Sequence, residues 1–88
     1  MALKRRELPR YKGKETQVLA LKIKEVKQAV DGTGVIVPVD EFYPEFDVSH
    51  EYMSINKPEK GGYYVESIDG QPMYMEAKEF SSEYSLMK

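Results

Sequence analysis

Two Asp-Gly pairs, Asp31-Gly32 and Asp69-Gly70, divide this sequence into short segments of β character. Glycine takes positive φ at no steric cost, so Asp-Gly between apolar alternations signals a hairpin. In Asp31-Gly32-Thr33-Gly34 two glycines are free to take that conformation. Upstream, Leu19, Leu21 and Ile23 alternate with Ala20, Lys22 and Lys24, the period of a half-buried strand. Leu19, Ile23, Val26 and Val30 also fit one helical face, so residues 16–30 admit both readings. Clean alternation, with no capping box ahead of it, favours a strand over 16–26. Downstream, Val35-Ile36-Val37 is a β-branched run, and Pro38 marks a strand end or a sheet edge. Residues 18–39 therefore read as a first hairpin.

Residues 40–48, DEFYPEFDV, read as a loop leading into a short extended piece at 45–48, because Pro44 breaks any helix. Ser49 then suits a helix N-cap, with Glu51 in the positive first turn. Pro58 and Gly61-Gly62 stop that helix. Residues 62–76 form a second hairpin around Asp69-Gly70, with Pro72 at its outer edge. A last short helix spans Ala77 to Tyr84, where Phe80 and Tyr84 stand four apart and both face the sheet. The fold class is α+β: a small antiparallel sheet of four to five strands, able to curl toward a barrel, with two short helices in the order ββ-α-ββ-α.

A chain of 88 residues supports one core. The first fourteen residues carry Lys4, Arg5, Arg6, Arg10, Lys12 and Lys14 against Glu7, whereas the rest is acidic. The expected organisation is a basic N-terminal arm over 1–14, solvated as termini usually are, and a single α+β domain over 15–88. With no cysteine there is neither a disulfide nor a thiolate zinc site, and one histidine cannot build a His-based one. No apolar run approaches a membrane span, and residues 1–10 lack the apolar core of a signal peptide. Neither a membrane nor the secretory route is expected.

The residues offer little for catalysis. There is no GxSxG, no phosphate-cradling GxxxxGK[ST], no GxGxxG and no HExxH. His50 follows the proposed cap and reads as a surface histidine at a helix start. Asp40, Glu41, Glu45 and Asp47 have the wrong spacing for a calcium loop and read as a solvated acidic loop. No catalytic residue, metal or cofactor is expected. The same loop sets Phe42, Tyr43 and Phe46 beside Glu45, which suits either a protein-contact patch or core residues at a strand end. Arg5, Arg6, Arg10, Lys12 and Lys14 form a second candidate patch, for an acidic partner or nucleic acid. Tyr11 is the one aromatic among them, too few for a stacking platform.

Two stretches carry a resemblance. One runs from Arg10-Tyr11-Lys12 to ALKIKEV at 20–26; the other is VSHEYMSINKPEKGGYYVESIDGQPMYMEAKEFSSEY at 48–84. Together the chain resembles small uncharacterised proteins of tailed bacteriophages and prophages. The match keeps Ser49, Glu51, Met53, Lys57, Pro58, Gly61, Gly62, Tyr63, Tyr64, Val65, Asp69, Gly70, Phe80 and Tyr84. It departs at Glu76-Ala77, where the pattern has Ser-Pro, and at Gln71-Pro72, where it has a tyrosine. It departs also at Gly13-Lys14, in place of a polar or histidine-bearing pair. The kept residues are turn glycines, a cap and core aromatics, so the resemblance implies a fold and a phage or prophage origin, and transfers no catalytic group.

The function expected on these grounds is that of a non-enzymatic phage or prophage accessory protein in the bacterial cytoplasm. It would bind and modulate a host or phage protein, with inhibition of a host defence or metabolic enzyme as the leading version. The alternatives are nucleic-acid binding through the basic arm, a small-molecule or nucleotide binder with a tyrosine-lined pocket, and a minor virion component. A homodimer is compatible with each.

Overall fold

The structure, a computed structural model, describes residues 8–14 and 16–86. Among these residues, seven strands and two helices follow one another. They are β1 (Arg10–Lys12), β2 (Gln17–Gln28), β3 (Gly34–Pro38), β4 (Phe46–Val48), α1 (His50–Asn56), β5 (Tyr63–Ser67), β6 (Pro72–Met75), α2 (Ala77–Glu83) and β7 (Ser85–Leu86). The strands form one antiparallel sheet curled into a half-barrel, so the α+β class stands. Three short strands raise the strand count above the four to five expected. One of them, β4, is the extended piece foreseen at 45–48.

Strand β2 organises everything else. Its first half pairs with β1 and with β5, its second half with β3. A register shift between Ile23 and Glu25 separates the two halves. A bulge of this kind bends a strand and raises its twist, which lets one strand serve two parts of a curled sheet. The strand reading of 16–30 is therefore the right one, and β2 outlasts its expected end by two residues.

Both faces of β2 are buried over its first half. Leu21 and Ile23 join Leu8, Ile36, Val48, Tyr52 and Tyr64 in one core, inside the curl and against α1. Val18 and Ala20 join Val65 and Phe80 in a second core, beneath α2. Lys22 and Lys24 are exposed. Alternation in the sequence thus reports one core, and the second appears only once α2 is docked.

Residues expected in a solvated arm belong instead to the sheet. Arg10–Lys12 pairs with Gln17–Leu19 on one side and with Ser85–Leu86 on the other. Two apolar side chains anchor the segment: Leu8 is buried in the first core, and Tyr11 lies edge-on to Phe80 at 4.8 Å. The arm boundary at residue 14 is corrected accordingly. Lys4, Arg5 and Arg6 lie outside the described residues.

Helix α1 is capped as expected. Ser49 Oγ accepts the Tyr52 amide at 3.0 Å, and Lys57 takes a left-handed conformation just before Pro58. Helix α2 has no side-chain cap and ends at Glu83. Tyr84 is extended, yet stacks on Phe80 at 5.2 Å. The second hairpin differs in detail. Gly70 N–H donates to Ser67 O at 2.8 Å, and Gly70 has the positive φ while Asp69 does not. Ile68 and Asp69 are therefore the central residues, in place of the Asp69-Gly70 centre expected, and the turn is the longer type I form with a glycine bulge.

Candidate protein-contact surface

The loop between β3 and β4 is ordered by its own first acid. Asp40 Oδ1 accepts the Phe42 amide at 2.9 Å, and the Asp40 carbonyl accepts the Tyr43 amide at 3.1 Å. That short turn aims Phe42 outward and Tyr43 inward. Phe42 is 59% exposed, edge-on to Tyr43 at 5.3 Å, while Tyr43 packs against the first core. Phe46 also packs there, edge-on to Tyr64 at 4.8 Å. Glu45 is exposed and lies 3.7 Å from the Lys27 ammonium. The four contact candidates thus split: Phe46 and Tyr43 serve the core, Glu45 faces Lys27, and Phe42 stands out. Val39, missed in the sequence, is 49% exposed at the start of the same loop. Its place directly after Pro38 is a signal for it, since the proline ends β3 and leaves the next side chain beyond the sheet.

Of the basic candidates, Arg10, Lys12 and Lys14 lie among the described residues. Arg10 and Lys12 alternate with Tyr11 along β1, and the Arg10 guanidinium donates to Gln17 Oε1 at 3.4 Å. Lys14 lines an open hollow of about 590 Å³ with Gly13, Thr16, Ser82, Glu83 and Tyr84.

His50 is exposed, and its ring lies against Gly32. It adds to the pull of the Thr33 hydroxyl and amide, which hold the Asp31 carboxyl below its ordinary range. Glu66 was not singled out in the sequence. It is a buried carboxylate, 6% exposed, and accepts the Tyr64 hydroxyl at 2.7 Å. The pair links two residues on one face of β5. Tyr52 donates its hydroxyl to the Met73 carbonyl at 2.9 Å, and burial pushes its phenol well above the ordinary value. Among the described residues no group of three or more His, Asp or Glu side chains is arranged to hold a metal, and no helix is long and apolar enough to cross a membrane.

No family model and no curated protein matches the chain. Among solved structures it is similar to the monomeric form of the phage L decoration protein, determined in solution by NMR. The two share 34% sequence identity with a TM-score of 0.69, over 89% of this chain and 58% of the other. The chain thus spans 58% of the length of the structure it matches.

Proposed function

We propose that this chain is a non-enzymatic phage accessory protein that attaches to the capsid of its phage, as a decoration protein does. One observation carries the reading: sequence and fold match the phage L decoration protein together, at 34% identity over 89% of the chain. The likeness to a phage decoration protein supports a coat protein as the partner over a host enzyme. Attachment would take place where capsids assemble, in the cytoplasm of the infected bacterium. The contact residues are Val39 and Phe42, two exposed apolar side chains presented by a loop with a tight first turn. Exposed aromatic area on a rigid support is what an interface anchor needs.

The test is co-sedimentation with purified capsids of the phage that encodes the chain, stripped of accessory proteins. Saturable binding, with a fixed number of copies per coat protein, is the expected result. Protein that stays in the supernatant at every concentration, with capsids intact, overturns the reading.

A further inference from the structure

The two Asp-Gly turns are built alike. In each, a β-branched residue and an aspartate take the centre, and the glycine follows with φ of 91°. In the first turn Gly32 N–H donates to Ala29 O at 3.0 Å and Ala29 N–H to Thr33 O at 2.8 Å. In the second, Gly70 N–H donates to Ser67 O at 2.8 Å and Ser67 N–H to Gln71 O at 3.0 Å. The backbone therefore presents both aspartates with a following glycine in the same conformation.

The carboxylates are treated differently. Asp31 Oδ1 accepts two bonds from Thr33, from the amide at 3.0 Å and from the hydroxyl at 2.7 Å. At the equivalent place in the second turn, the Gln71 amide donates to Ser67 Oγ at 3.0 Å instead of to Asp69. The surroundings differ in the same sense. A methyl group on Gly70 would meet nothing within 4 Å, whereas one on Gly32 would strike the His50 ring. Asp69 is exposed and has room to rotate.

We propose that Asp69-Gly70 is a site of spontaneous aspartyl isomerisation, and that Asp31-Gly32, in the same type of turn, is protected by Thr33. The Gly70 amide nitrogen attacks Asp69 Cγ of the neutral carboxyl. A new N–C bond closes a five-membered succinimide, and the amide proton leaves with the carboxyl hydroxyl as water. Water then adds at the main-chain carbonyl of Asp69 and breaks its bond to nitrogen. The chain now runs through Cβ and Cγ as isoaspartate, with a free carboxylate on Cα. No oxidant or cofactor enters. Attack must break the glycine's turn bond in either turn, so that requirement does not discriminate. The two Thr33 bonds are additional, and together they correspond to about a tenfold slower reaction at Asp31.

The experiment ages the folded full chain in mildly acidic buffer. It then measures isoaspartate in tryptic peptides by enzymatic carboxyl methylation, with fragmentation to locate the residue. Isoaspartate is expected at Asp69 about tenfold faster than at Asp31, and at comparable rates in the denatured chain. Asp69→Glu is expected to remove the major signal, because ring closure through the longer side chain is slow. Thr33→Ala is expected to raise conversion at Asp31 while Asp69 stays as it was. Equal conversion at both sites in the folded chain overturns the proposal. So does a folded chain that converts neither site while the denatured chain converts both, or a Thr33→Ala chain with no acceleration at Asp31.

Discussion

The phenol of Tyr52 on α1 donates its proton to the carbonyl oxygen of Met73 on β6, 2.9 Å away. The bond ties the helix to a strand 21 residues further on. Tyr52→Phe keeps the ring beside Tyr64, 5.7 Å between centroids, and removes only the hydroxyl. A hydrogen bond of this kind contributes about 0.5–1.5 kcal/mol net. The expected result is a lower denaturant midpoint with an unchanged slope. An unchanged midpoint would show that water serves the Met73 carbonyl equally well.

The same residue sets an alkaline limit. Burial raises the Tyr52 phenol above its ordinary value of 10.0, and raises Tyr11 and Tyr74 in the same direction. In the unfolded chain these phenols lose their protons near the ordinary value, while the folded chain keeps them. The unfolded state then binds fewer protons, so stability falls with rising pH. Stability is expected to be constant in this respect below 10.0 and to decline above it. Denaturant titrations at stepped alkaline pH should show a shallower decline in Tyr52→Phe than in the parent. Equal slopes would remove Tyr52 from the account.

Phe80 is the centre of an aromatic stack. Tyr63 lies parallel to it at 4.1 Å, Tyr84 at 5.2 Å, and Tyr11 meets it edge-on at 4.8 Å. Phe80→Ala is expected to cost about 3–5 kcal/mol, a large part of the stability of so small a domain. The melting temperature should drop steeply, and the near-ultraviolet dichroism of the tyrosines should weaken. A folded variant with unchanged dichroism would mean that the ring does not organise the stack.

Local chemistry in the sequence was enough for the elements whose signals are local. The Ser49 cap, the helix stop at Pro58 and the alternation of Leu19, Leu21 and Ile23 each act within a few residues, and each reads correctly. What stayed hidden depends on partners distant in the chain. Strand β1 exists because Tyr11 finds Phe80 and because Ser85-Leu86 returns to pair beside it. Its arginine and lysine, read in isolation, describe only a soluble tail. Glu66 is invisible for the same reason, since its burial depends on the face of β5 turned toward Leu19 and on the Tyr64 hydroxyl. In the contact loop, alternation of acids and rings could not say which ring turns outward. The Asp40 turn decides that, placing Phe42 outside and Tyr43 inside.

Gly70 offers a test of conformation free of packing. Its φ of 91° is strained for any side chain, and a methyl group there would touch nothing within 4 Å. Gly70→Ala is expected to cost about 1 kcal/mol through the backbone alone, and Gly70→Asn less, since asparagine tolerates positive φ better. Gly62→Ala should be worse, because its methyl would collide with the Tyr74 ring. Thermal melts of the three variants give the order directly. A Gly62→Ala chain as stable as the parent would show that Tyr74 moves aside without cost.

Phe42 and Phe46 separate binding from folding within one short segment. Phe46 packs on Tyr64 in the first core, so Phe46→Ala should lower stability by about 2–3 kcal/mol whatever the protein binds. Phe42 is 59% exposed, so Phe42→Ala should leave stability within about 0.5 kcal/mol. If Phe42 anchors the chain on a coat protein, the same change should weaken capsid binding by about 2 kcal/mol, roughly thirtyfold in affinity. Val39→Asp, at the start of the loop, should act in the same direction by placing an unpaired charge in the contact. The two readouts are the melting temperature and the capsid-bound fraction at fixed protein concentration. A Phe42→Ala chain that melts and binds like the parent would move the contact surface elsewhere on the domain and leave the capsid reading to the unmodified chain's own binding.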